Sequence, residues 1–136
     1  MPVIRLTTPI PESAIRALRV GDEVRLAGRI LLSRDLGHRF MVEQRPEWLR
    51  PILEDGVIYH CGPVATQDAD GSWSFAAAGP TTSLREEPYQ ADVLAHYRVR
   101  GVIGKGGMGE RTSAALREQG ACYFHATGGA GALLAQ

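Results

Sequence analysis

From Glu23 to Leu32 the chain alternates. Val24, Leu26, Gly28, Ile30 and Leu32 fall on one side, with Glu23, Arg25 and Arg29 on the other. A period of two is the signature of a half-buried β-strand, whose successive side chains point to opposite faces of a sheet. The apolar face needs a layer to cover it, which the rest of the chain must supply. The strand is expected to end at Ser33-Arg34-Asp35, where a helix begins and runs toward Gln44.

Upstream, Val3 to Leu6 reads as a short strand. Pro11 opens a helix from Glu12 to Arg19 with Ile15 and Leu18 inward, and Gly21-Asp22 marks a turn. Downstream, Pro46 and Pro51 bracket a short apolar turn with Trp48 and Leu49, and Val57 to His60 is an apolar strand ending at Cys61-Gly62-Pro63. The run from Gln67 to Ser72 is a polar, hairpin-like loop before a strand from Trp73 to Ala77. Gly79-Pro80-Thr81-Thr82-Ser83 then breaks the chain and offers hydroxyls that can cap a helix.

Tyr89, Val93, Leu94 and Tyr97 recur at helical spacing, and Val99 to Ile103 is a strand. After the glycine-rich loop Gly104 to Gly109 comes a helix with Thr112, Ala115 and Leu116 inward, stopped by Gly120. Ala121 to Phe124 reads as a strand, Gly128-Gly129 as a turn, and Ala130 to Ala135 as the start of another helix. Strand and helix alternate through the second half, which predicts an α/β fold. With 136 residues, 44% of them apolar, the chain has material for one domain around one core, residues 1–136.

Lysine plus arginine and aspartate plus glutamate both number 15. A formal net charge of zero excludes a nucleic-acid binder that relies on a general basic field, but leaves room for a local cluster of cations around a small anion. No stretch approaches the ~18 apolar residues of a membrane span, and the first residues carry no apolar run of signal-peptide length. A reducing cytoplasm is therefore the expected location. The two cysteines, Cys61 and Cys122, are too few to hold an iron–sulfur centre within the chain.

Polar groups follow three of the expected strands: Arg34 and Asp35, then Thr81, Thr82, Ser83 and Arg85, then Lys105. Ligands in α/β folds gather where strand ends and their loops converge. Arg34, Arg85 and Lys105 together would suit a dianion, since arginine grips a carboxylate with two parallel hydrogen bonds. Each residue also has an ordinary role: a strand-end arginine as a surface or ion-pair residue, and Gly-Pro-Thr-Thr-Ser as a turn and helix cap. The loop around Lys105 resembles a phosphate cradle but lacks the P-loop spacing. His60 reads as a packed strand-end residue, the two thiols as buried rather than paired, and His38, His96 and His125 receive no catalytic role.

Five phrases, in order and at matching spacing, carry a resemblance that runs from about Leu18 to the end: LRVGDEVRLAGRILLSRDLGHRF, GVIYHCGPV, AAGPTTSLREEPYQADVL, VRGVIGKGGMG and CYFHATGGAGALLA. They resemble the β subunit of class I fumarate hydratases and L-tartrate dehydratases, and the C-terminal domain of the single-chain members. The resemblance implies a swivelling β/β/α domain, three layers with a partly open sheet or barrel. It implies an α-type partner, in an α2β2 assembly, that holds a [4Fe–4S] cluster; no cluster binds this chain alone and none of its residues is a metal ligand. The substrate would be a small 2-hydroxy dicarboxylate, dehydrated reversibly, with the open iron of the cluster acting on its hydroxyl.

Residue by residue, the resemblance maps Thr81 as the base, Arg34 as the cation beside it, and Arg85 and Lys105 as the carboxylate holders. Two departures stand out. Glu86 replaces the methionine usual after the second arginine, and the chain stops at Gln136 where members usually continue through another strand and helix. The alternative expectation is a shortened, non-catalytic paralogue that serves as a binding or assembly module.

Overall fold

The computed structural model describes residues 3–61, 64–67, 73–77 and 83–126. Four strands form its central sheet: β3 (Ile30–Leu32), β4 (Val57–Tyr59), β7 (Gly101–Gly104) and β8 (Cys122–His125). They lie side by side in that order and all run parallel. Parallel neighbours need a crossover to return the chain to its starting end, and helices supply it. Between β3 and β4 run α2 (Asp35–Gln44), a 3₁₀ turn at Glu47–Leu49 and α3 (Arg50–Leu53). A hairpin of β5 (Val64–Gln67) and β6 (Trp73–Ala77), a 3₁₀ turn at Ser83–Glu86 and α4 (Glu87–Tyr97) lead to β7. From there α5 (Glu110–Gln119) leads to β8. At the start of the chain, β1 (Ile4–Thr7) pairs in parallel with β2 (Val24–Ala27) across α1 (Glu12–Arg16).

The two faces of the sheet build two cores. Leu31, Ile58, Val102 and Tyr123 point toward the helices and pack with Met41, Leu53, Val93, Leu94, Tyr97 and Ala115. Their strand neighbours Ile30, Val57, Ile103, Cys122 and Phe124 point the other way, against Leu6 and Leu26 of the small sheet and Ile10 and Ile15 around α1. The result is three layers, strand pair on sheet on helices, within the α/β class that the alternation of elements predicts. β4 is central and buried on both faces, so its three residues are all apolar or aromatic.

Three local expectations change. The long alternating strand is two strands in two sheets. Gly28 divides it at a φ of +99°, and a Cβ there would stand 2.3 Å from Thr8 Oγ1 and 3.1 Å from the Thr8 backbone. Only glycine fits that close approach. The helix at Pro11 stops at Arg16, short of Arg19. The Pro46–Pro51 turn is helical: Leu49 and Leu53 are buried while Trp48 stays exposed, and Pro51 sits in the first turn of α3, where its missing N–H is harmless. The loop at 68–72 and the turn and helix expected beyond Gly128 lie outside the described residues. Among the described residues no helix is long and apolar enough to cross a membrane.

The amino end of the sheet is closed by Arg100, which is 7% exposed. Its Nε donates to Asp55 Oδ1 at 2.7 Å, and its NH1 donates to the carbonyls of Gln119 and Gly120. Glu12 of α1 stands 3.5 Å from the same guanidinium. One side chain thereby ties α1, the turn before β4, and the C-terminus of α5.

Candidate functional site

At the carboxyl end of the sheet the order of the strands sets the order of the polar groups. β3 leads into Ser33, whose N–H donates to the Tyr59 carbonyl at 3.0 Å, and then into Arg34 at the cap of α2. β4 leads into His60 and Cys61, both buried. β7 leads into Lys105. The 3₁₀ turn that precedes α4 docks on this end through Ser83: its N–H donates to the Lys105 carbonyl at 3.0 Å, and its Oγ lies 2.8 Å from His60 Nδ1 and 2.9 Å from the Tyr123 hydroxyl. Gly104 makes room for it, since a Cβ there would lie 1.8 Å from Ser83 Oγ.

The sequence-expected cations therefore sit on neighbouring elements at one end of the sheet. Arg34, Arg85 and Lys105 are all exposed, and none forms an ion pair with the described residues. The same holds for several arginines elsewhere on the surface, so position distinguishes these three. Arg34 is close enough to Cys61 to favour its thiolate, but burial is the larger influence and pushes the Cys61 thiol up. Thr81 lies outside the described residues. Glu86, the departure beside Arg85, is 1% exposed with Oε2 3.9 Å from His60 Nδ1, so its carboxyl is buried while its neighbour Arg85 is exposed.

The glycine-rich loop is not a phosphate cradle. The N-terminus of α5, where a phosphate would sit, already holds the Glu87 carboxylate. Gly109 N–H donates to Glu87 Oε1 at 2.8 Å, Thr112 N–H to Oε2 at 3.3 Å, and Thr112 Oγ1 to Oε1 at 2.7 Å. A Cβ on Gly109 would be 2.7 Å from the Glu87 carboxyl carbon, which accounts for glycine there. Burial raises the Glu87 pKa, but the bonds from Thr112 and from the N–H groups of Gly109, Thr112 and Arg111 outweigh it, and the net shift is downward.

His60 is the packed strand-end residue that the sequence predicts, but sequence reasoning missed the polar run it forms with His38 and Gln90 behind this end. His38 and His60 are both 0% exposed and meet edge to face, their ring centres 5.2 Å apart. Gln90 Oε1 lies 2.8 Å from His38 Nε2 and 2.6 Å from His60 Nε2. Burial, and after it the neighbouring His38 against the opposing bond to Gln90, takes the His60 pKa down to about 4, so His60 is neutral near pH 7. A signal for them was available: Glu86 and Gln90 stand one helical turn apart on the same stripe as Val93, Leu94 and Tyr97.

The donors among the described residues do not gather into a site for a metal or a cluster. Among the described residues no three His, Cys, Asp or Glu side chains gather at metal-binding distance. The two free cysteines lie at opposite ends of the sheet: Cys61 follows β4, while Cys122 opens β8 beside Gly101. Burial raises both thiol pKa values. A cleft of ≈660 Å³ opens elsewhere, on the face away from the helices. Val24, Leu26, Ile30, Leu32, Tyr59, Ile103 and Phe124 line it, with Arg25 and His125 as its basic groups. Arg34, Arg85 and Lys105 do not line it, and its apolar walls do not suit a dicarboxylate.

Fold and strand-end chemistry define an α/β domain that carries cations at the carboxyl end of a parallel sheet. Comparison with known families narrows this. The family described as Fumarase C-terminus matches residues 2–136, and the chain belongs to that family. A Geobacillus stearothermophilus protein named "Putative fumarate hydratase class I" is 49% identical over 129 residues, covering 94% of this chain and 24% of that protein. The L(+)-tartrate dehydratase subunit beta of Escherichia coli (strain K12) is 37% identical over 124 residues, covering 89% of this chain and 57% of that protein. The chain thus spans about a quarter of the first relative and somewhat over half of the second.

Proposed function

We propose that this chain is the β-type part of a hydro-lyase that reversibly dehydrates a 2-hydroxy dicarboxylate, malate to fumarate or tartrate to oxaloacetate. The observation that supports this best is the placement of Arg34, Arg85 and Lys105 on adjacent elements at one end of the sheet, free of carboxylate partners among the described residues. The kinship to a class I fumarate hydratase and to a tartrate dehydratase β subunit points to the same chemistry. An α-type chain completes the site and carries the [4Fe–4S] cluster, for which no set of ligands gathers among the described residues of this chain. When bound there, the cluster would supply a Lewis acid for the departing hydroxyl.

This chain's own residues have three tasks. Arg85 and Lys105 hold a substrate carboxylate and stabilise the charge that builds on it when the adjacent carbon loses its proton. Thr81 takes that proton. A threonine hydroxyl is a poor base, and the guanidinium of Arg34 favours its alkoxide form in a site from which a closing partner excludes water. The test is anaerobic co-expression with the α-type chain, then assay of malate, fumarate and tartrate. Turnover that needs both chains supports the reading. A cluster-loaded assembly that binds these acids without turning them over would contradict it and favour a binding or assembly module.

A further inference from the structure

The buried polar residues behind the cations form one continuous run. On one side of Gln90, His38 directs Nε2–H to the Gln90 oxygen, and its Nδ1 accepts at 3.1 Å from Oγ of Ser33, the residue just before Arg34. On the other side, His60 Nδ1 meets Ser83 Oγ, which meets the Tyr123 hydroxyl, which accepts the Gly107 N–H at 3.3 Å. The run therefore touches the residue beside Arg34, the turn that carries Arg85, and the loop that carries Lys105. It crosses α2, the end of β4, α4 and β8. Apolar side chains would fill the same space without the desolvation cost of amide and imidazole groups. What a bonded run adds over apolar packing is a fixed spacing, because each link holds only at hydrogen-bond length.

We propose that Gln90 is a positioning residue: through His38 and His60 it sets the spacing of the Arg34, Arg85 and Lys105 segments on which dicarboxylate binding depends. The consequence for function rests on the hydro-lyase reading; the positioning itself does not. Gln90 sits behind the site and acts only through its two imidazoles.

Hydrogen exchange of backbone amides, read by NMR in the assembled protein, tests the positioning without any substrate. Gln90→Met keeps the side-chain length and removes the amide. The expected result is about tenfold or faster exchange at the Ser83 and Gly107 amides, with the strand amides of Ile58 and Val102 unchanged. Gln90→Glu keeps an oxygen between the rings and is expected to recover most of the protection. Equal acceleration at all four amides would make Gln90 an ordinary core residue and overturn the proposal, as would no change at Ser83. Should Gln90→Met fail to fold, Ser83→Ala cuts the same run at a smaller side chain. It is expected to loosen the amides at positions 83 and 107 alone. In the assembled enzyme, Gln90→Met is expected to raise KM and lower kcat, with recovery in Gln90→Glu. A protein that shows the local exchange effect but no turnover would remove the hydro-lyase reading and leave this one standing. Turnover without the local effect would remove this one alone.

Discussion

The two ends of the central sheet use arginine in opposite ways. At the amino end Arg100 is nearly buried, bonded to Asp55 and two carbonyls, and within reach of Glu12. At the carboxyl end Arg34 and Arg85, with Lys105, are exposed and lack ion-pair partners among the described residues. A cation that already has its partners serves the fold. A cation left without them, on a loop held by a rigid sheet, is available to a ligand. The difference matches the general rule for parallel sheets, in which ligands sit at the carboxyl ends of the strands. The same logic disposes of the glycine loop, whose helix terminus is already neutralised by Glu87.

The largest expected effect separates catalysis from stability at the proposed base. Thr81→Val removes the proposed base with little change of shape, and turnover is expected to fall by roughly 10²–10⁴. If Thr81 were only a helix cap, stability would drop by about 1 kcal/mol and kcat would stay within a fewfold. Exchange of the substrate C3 proton with deuterated solvent decides: a wild-type rate in the variant would assign the proton to another group.

Arg100→Ala probes the other end. It strips Asp55 and the α5 carbonyls of their donor, and urea unfolding is expected to show a loss of about 2–3 kcal/mol, at the lower side for a buried pair because Asp55 and Glu12 are partly exposed. KM of the assembled enzyme is expected to be unchanged. A raised KM with normal stability would erase the contrast between the ends.

Glu87→Gln gives the smallest effect, about 1 kcal/mol near neutral pH, from loss of the carboxylate at the α5 terminus. Glu87 is lowered from its ordinary 4.5, so its contribution is present above that value and is lost as pH falls through the lower folded value. His60, lowered from 6.5 to about 4, also weakens the fold as pH falls through that interval, because the unfolded chain takes up the proton first. The measurement is therefore the stability difference between wild type and variant, which is expected to shrink toward zero in acid. A constant difference would mean the carboxylate's charge is not what caps the helix.

Much of this arrangement could be read from local pattern. The start of α2 at Ser33-Arg34-Asp35, the α4 stripe and the Gly120 stop of α5 all stand as expected, because strand endings, helical spacing and glycine stops act within a few residues. The break at Gly28 could not be read, since alternation runs through it unchanged. What breaks the strand is Thr8, distant in sequence. The approach of His38 and His60 to Gln90 was hidden for the same reason: three segments far apart in the chain supply it. The cationic residues stood out through motifs, whereas the polar run behind them has no motif and shows only as two polar residues on an apolar stripe.

The central claim is that the exposed cations of the carboxyl end hold a dicarboxylate. The direct measurement is calorimetric titration of tartrate or malate into the assembled protein, comparing wild type with Arg85→Ala and Lys105→Ala. Each substitution removes a charge-assisted contact, so affinity is expected to fall by about ten- to a hundredfold, roughly 1.5–3 kcal/mol, with unfolding stability nearly unchanged. Wild-type affinity in both variants would contradict the account and move the ligand site away from this end of the sheet.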